Sequence, residues 1–150
     1  MTRVLLVGSS GGHLAQMLTM KPWWQDAERR WVTFDTTDAV SALAGEQVVW
    51  AFHPTTRNLP NALRNLMLAV RVLLGYRPDV VVSTGAGIAL PFFVVARLLG
   101  VRTIYVEVYD RIDSRTLTGR LCRPWTSRFL VQWEEQLAVY PGATVVGPLL

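Results

Sequence analysis

Short apolar runs alternate with stretches of helical period along all 150 residues. The runs at 4–7, 31–34, 48–51, 80–83, 103–107, 129–132 and 144–146 are rich in β-branched and aliphatic side chains and predict strands. The patterns at 13–20, 38–44, 59–75, 88–99, 116–122 and 134–140 predict helices. Strands alternating with helices mean βαβ units, so the expected fold class is α/β: a doubly wound, mostly parallel sheet covered on both faces. No internal repeat, low-complexity tract or linker interrupts the alternation, and residues 1–150 read as a single domain with no second domain behind it.

The longest helical pattern, 59–75, carries a stripe of Leu59, Ala62, Leu63, Leu66, Met67, Val70, Leu73 and Leu74 at the spacing of one helix face, which predicts the core side. Arg64, Leu68 and Arg71 line up on the other side, with Val72 beside them. Such a mixed face suits contact with an anionic membrane surface, or else it is two solvated arginines over an ordinary core helix.

Composition narrows the class. Apolar residues make up 51% and charged residues 17%, the mark of a globular chain with a substantial core. The net charge is +4 and fourteen of the fifteen basic residues are Arg, whose planar fork suits phosphates and carboxylates. Seven of those arginines lie between Arg97 and Arg128, opposed only by Glu107, Asp110 and Asp113. That suggests a positive region facing an anionic partner, although a biased codon usage gives the same count. Cys122 is the only cysteine, which excludes a disulfide framework and a cysteine metal cluster. The first apolar run is four residues long and ends in glycines, unlike a secretory signal, and no stretch reaches the roughly 18 apolar residues of a membrane span. The expected location is the cytoplasm, peripheral on the inner face of the plasma membrane.

The ends of the predicted strands hold the chemistry. Gly8-Ser9-Ser10-Gly11-Gly12-His13 follows the first strand and opens a helix, whose free N–H groups would face the turn and favour an anion. It lacks the Gly-x-Gly-x-x-Gly spacing and the Walker lysine, so a dinucleotide reading rests only on Asp35 at the end of the second strand. Ser83-Thr84-Gly85-Ala86-Gly87 is a second such turn, and two helix N-termini together could hold two phosphates. Glu107 ends a buried-looking strand; with Arg111 as partner it is either a structural ion pair or a general base. Gln132 closes another strand. His53 stands before Pro54 without an evident partner.

These pieces, together with Tyr105-Val106-Glu107, Leu117-Thr118-Gly119-Arg120-Leu121 and Val131-Gln132-Trp133 in this order, resemble the acceptor-side, membrane-recruiting subunits of split two-component glycosyltransferases. That family includes the eukaryotic subunit of the transferase that adds the second N-acetylglucosamine to dolichol-diphosphate-linked sugar, and bacterial capsule and exopolysaccharide proteins. More distantly the chain is similar to the N-terminal domain of the transferase that makes the final lipid-linked peptidoglycan precursor. The resemblance spans nearly the whole chain. It implies a Rossmann-like fold equivalent to the N-terminal half of a GT-B glycosyltransferase, and a subunit that is not active alone.

The resemblance carries over Gly11, Gly12, His13, Gly85, Gly87, Glu107, Gln132 and Trp133, and Glu107 or His13 is the candidate catalytic base. Gly11, Gly12, His13, Ser83, Gly85, Gly87, Arg111 and Gln132 are candidates for binding a polyprenyl-diphosphate-linked sugar, and Arg64, Leu68 and Arg71 for the membrane. No metal or cofactor is expected; the UDP-sugar donor belongs on a small partner subunit in a heterodimer. Val108 stands where the family often has Ser, and Glu134-Glu135-Gln136 where it commonly has Pro-Glu-Leu. These departures, and the lack of an N-terminal membrane helix, favour a bacterial polysaccharide role. Two other readings remain: an NAD- or nucleotide-binding enzyme, and a membrane adaptor that only scaffolds. Nucleic acid is not an expected partner, because no RNA-binding motif appears.

Overall fold

The computed structural model describes residues 2–55, 58–85, 87–107 and 117–147. Seven strands, β1 (Arg3–Gly8), β2 (Glu28–Thr33), β3 (Val48–Trp50), β4 (Val80–Gly85), β5 (Arg102–Val106), β6 (Arg128–Val131) and β7 (Thr144–Val145), form one sheet in the order β3-β2-β1-β4-β5-β6-β7. Every pair is parallel. The chain therefore winds outward in both directions from the β1/β4 boundary, and a doubly wound sheet places its ligand crevice at that reversal, beyond the strand carboxyl ends. Helices α1 (Gly12–Thr19), α2 (Lys21–Trp24), α3 (Thr37–Ala42), α4 (Leu59–Tyr76), α5 (Ala89–Leu98) and α6 (Leu117–Cys122) complete the layers, with 3-10 turns at Arg123–Trp125 and Glu134–Ala138.

One core lies between the sheet and α4, α5 and α6, built on Leu5, Val7, Val81, Phe92, Phe93 and an aromatic row. In that row Tyr105 stacks on Phe129 at 5.0 Å, and Tyr140 packs against Phe129 at a tilt of 31° and 4.4 Å. The second core lies under α1, α2 and α3, where Leu6, Leu14, Met17, Trp31 and Val82 meet. Helix α2 has only four residues, too few to show a period; Trp24 anchors it, edge-on to Trp31 at 5.2 Å and donating to the Met17 carbonyl at 3.0 Å. Strand β2 begins at Glu28, three residues before its apolar run, because Arg29 and Trp31 both bond Glu46 there, at 2.6 and 2.8 Å. The segment after Trp133 is a 3-10 turn rather than an α-helix.

Helix α4 is rotated from its expected setting. Met67 is 73% exposed and Leu59 71%, and Leu63, Leu66, Val70 and Leu74 are exposed with them, whereas Leu68 is 4% exposed and Val72 is buried. The inward face is Asn61, Asn65, Leu68, Ala69, Val72, Leu73 and Tyr76. The amides decide this. Asn65 accepts from the Phe52 N–H and donates to the Phe52 carbonyl, each at 2.9 Å, and Asn61 donates to the Pro54 carbonyl at 2.9 Å. They satisfy main-chain groups of the connection after β3 and tie it to the helix. Leu68 is thus a core residue, not part of an outer face; Arg64 and Arg71 are exposed as expected. Among the described residues no helix is long and apolar enough to cross a membrane.

Candidate functional site at the strand reversal

The two glycine-rich loops follow β1 and β4, the adjacent strands at which the sheet reverses, so they stand side by side. Gly11 precedes α1 at φ 74°, a conformation that glycine adopts without strain. Gly11 and Gly12 are exposed, and a methyl on either would meet nothing within 4 Å. The anion site expected here is partly filled from within: the Asp38 carboxylate accepts from the Gly11 N–H at 2.9 Å and from the Thr36 hydroxyl at 2.5 Å. Those bonds, the hydroxyl first, hold the Asp38 carboxyl below its usual range.

His13 joins the two loops. Its Nδ1 lies 2.9 Å from the Thr84 carbonyl oxygen, and the Thr84 hydroxyl donates back to the His13 carbonyl at 2.6 Å. A carbonyl only accepts, so Nδ1 carries the proton, and in the neutral ring Nε2 holds the lone pair. The ring is half-buried. Gly85, at φ 129°, is where β4 makes room for it: a methyl there would stand 2.8 Å from His13 Cε1 and 3.2 Å from Tyr105 Oη. Ser83 is buried and its hydroxyl accepts from the Gly85 N–H at 3.0 Å, so it shapes the second loop from inside. Gly87 faces Thr55, whose Oγ1 a methyl would approach to 3.1 Å.

Glu107 is fully buried, and the Tyr140 hydroxyl donates to its Oε2. Arg111, its expected partner, lies outside the described residues. Gln132 is buried as well; its amide Nε2 donates to Gln16 Oε1 at 2.6 Å and to the Glu107 carbonyl at 2.9 Å. Both side chains point into the protein, beneath the site. Burial, with the Glu107 carboxylate close by, pushes the Cys122 thiol up to about 12 and keeps it inert. Asp35 and His53 pair at 2.9 Å at the exposed ends of β2 and β3. Tyr140, Gln16 and Asp38 carry no signal in the sequence. Thr84 and Tyr105 do carry one, since each lies inside a motif at a strand end.

Residues 52–149 match the family described as "Oligosaccharide biosynthesis protein Alg14 like". The chain belongs to the Alg14-like family. Its curated relatives include the mouse UDP-N-acetylglucosamine transferase subunit ALG14, 24% identical over 99% of this chain and 83% of that protein. The subunit from Yarrowia lipolytica is 26% identical over 99% and 81%. That from Schizosaccharomyces pombe is 35% identical over 47% of this chain and 36% of its own length. Among solved structures, MurG of Acinetobacter baumannii superposes with a TM-score of 0.78 at 18% identity, covering 98% of this chain and 46% of that one. A UDP-GlcNAc 2-epimerase from Methanocaldococcus jannaschii gives 0.72 at 17% identity, covering 98% and 45%. The Alg14-like chain therefore has the Rossmann-like fold of these proteins and spans about half their length.

One further surface stands out in this Alg14-like fold. On the side of the sheet that α1 and α2 cover, they reach only part of the way. Thr19, Met20, Pro22 and Trp23 form one wall of an open trough of about 360 Å³, floored by Val82, Ile104, Val106 and Leu130 with Val146 at its edge. On this part of the sheet Ile104 and Leu130 are half-buried, while Val82 and Val106 beside them are fully buried.

Proposed function

We propose that this chain is the acceptor-side subunit of a two-chain, UDP-sugar-dependent glycosyltransferase. It would hold a polyprenyl-diphosphate-linked sugar over the two glycine-rich loops, and a second, small chain would bring the donor. The observation that carries this reading is His13, joined to the second loop by its Nδ1 on the Thr84 carbonyl at 2.9 Å, and in this reading Nε2 is the atom that faces the acceptor. The names of the curated relatives as transferase subunits support it, as does the fold shared with structures of about twice the length. The departures from the family at Val108 and Glu134–Gln136 favour capsule or exopolysaccharide synthesis, with the acceptor at the inner face of the plasma membrane.

In this reading His13 Nε2 takes the proton of the acceptor hydroxyl as its oxygen bonds to the anomeric carbon of the donor. The bond from that carbon to the UDP oxygen breaks, UDP leaves with the electron pair, and the configuration inverts. His13 is favoured over Glu107 as the base because it is half-buried at the loops, while Glu107 is enclosed and bonded to Tyr140. No metal or cofactor of this chain enters the step.

Two apolar surfaces fit the remaining roles. The exposed stripe of Leu59, Leu63, Met67 and Leu74, with Arg64 and Arg71 alongside, suits an anionic lipid surface. The trough suits an apolar helix of the donor-binding chain. The test is to purify this chain with its co-purifying partner and assay transfer from a UDP-sugar to lipid-linked acceptor. His13→Asn should lower turnover by roughly two to four orders of magnitude with the complex intact. Wild-type turnover in that variant would remove the base assignment, and Gly12→Val with full activity would favour a scaffold that only recruits. Leu63→Glu with Met67→Glu should abolish flotation with vesicles containing anionic lipid; unchanged flotation would remove the membrane face.

A further inference from the structure

We propose that Gln132 is a positioning residue for His13, acting through Gln16. The inference rests on the reading of His13 as the base. Helix α1 is only eight residues long, and its N-cap Gly11 supplies no side-chain cap. Something else must fix the first turn, where His13 sits. Thr84 holds it from β4 by the two bonds already described. The second hold comes one turn along the helix. Gln16, on the same face as His13, is buried and accepts from Gln132 Nε2 at 2.6 Å.

Gln132 is itself immobilised. The same Nε2 donates to the Glu107 carbonyl at 2.9 Å, and because a carbonyl only accepts, this bond settles which way the amide faces. The Gln132 main-chain N–H donates to Gln136 Oε1 at 2.8 Å, which also accepts from the Trp133 N–H at 3.0 Å. Tyr140 closes the assembly by its bond to Glu107. Buried amides, carboxylate and hydroxyl thus join the ends of β5 and β6 to α1. An apolar pair would fill the same space but would let α1 slide or turn; a hydrogen bond between two buried amides holds one direction, because breaking it strands polar groups away from water. The consequence is read at His13: the bond orients the helix whose first turn presents Nδ1 to Thr84 and leaves Nε2 for the ligand.

The test uses the full chain with its imidazoles labelled in nitrogen-15. There are two histidines, and His53→Gln assigns the signals. Wild type should show His13 as the Nδ1–H tautomer. Gln132→Leu, and Gln16→Leu in case the first variant does not fold, should shift His13 toward the Nε2–H tautomer. Gln16→Glu keeps the acceptor and should retain the wild-type form. Leu43→Ala, a cavity at a buried position on the α3 side, should lower stability without moving the His13 signal. In the active complex Gln132→Leu should lower kcat roughly tenfold to a hundredfold with KM within about twofold. An unchanged tautomer in both leucine variants, or the same shift in Leu43→Ala, overturns the proposal. Failure of the base assignment shows differently, as full turnover in His13→Asn.

Discussion

The two glycine-rich loops look alike in sequence and do different physical work. In the first, Gly11 and Gly12 are exposed with open space beyond their α-carbons, and Gly11 needs glycine for its backbone angle alone. In the second, Gly85 needs glycine twice over: it lies at φ 129°, and the His13 ring occupies the place of a side chain. Beside its α-carbons the first loop is open, although the Asp38 carboxylate takes the Gly11 N–H, whereas the second is filled by the His13 ring. A shared motif of glycines is therefore not evidence of a shared role; the volume beside each α-carbon separates them.

Substitutions can break this contrast. Gly85→Ala combines a strained backbone with a clash against an imidazole and should cost about 3 kcal/mol in urea unfolding. Thr84→Val removes the hydroxyl that donates to the His13 carbonyl and should cost roughly 1–2 kcal/mol. Gly11→Ala carries backbone strain without a clash, for a loss of about 1 kcal/mol. Gly12→Ala should stay within about 0.5 kcal/mol of wild type. A loss at Gly12 equal to that at Gly85 would end the distinction.

The smallest effect concerns acid. The Asp38 carboxyl is lowered in the folded protein, so its stabilising contribution is present above the ordinary aspartate value of about 4 and fades as pH falls through the lowered one. Asp38→Asn should therefore show a shallower drop in Tm between pH 5 and pH 3 than wild type; an identical drop would mean that the Gly11 bond adds nothing.

The order of elements was legible in the sequence because apolar runs and turn residues alternate cleanly, and from that alternation the position of both loops follows. The face of α4 was not. Periodicity treats leucine as core and asparagine as surface, yet Asn61 and Asn65 turn inward to serve the backbone of Phe52 and Pro54, which leaves Leu59, Leu63 and Met67 outside. The buried amides escaped for a related reason. Gln16 and Gln132 lie 116 residues apart, and nothing local marks either as half of a pair. His13 and Gly85 were both singled out, but that one packs on the other is visible only when β1 and β4 lie together.

The stripe on α4 and the trough over β5 and β6 lie on opposite faces of the same sheet. A flat surface pressed against the first leaves the second turned away from it. The two share no residues, so the stability effects of substitutions in one and in the other should add.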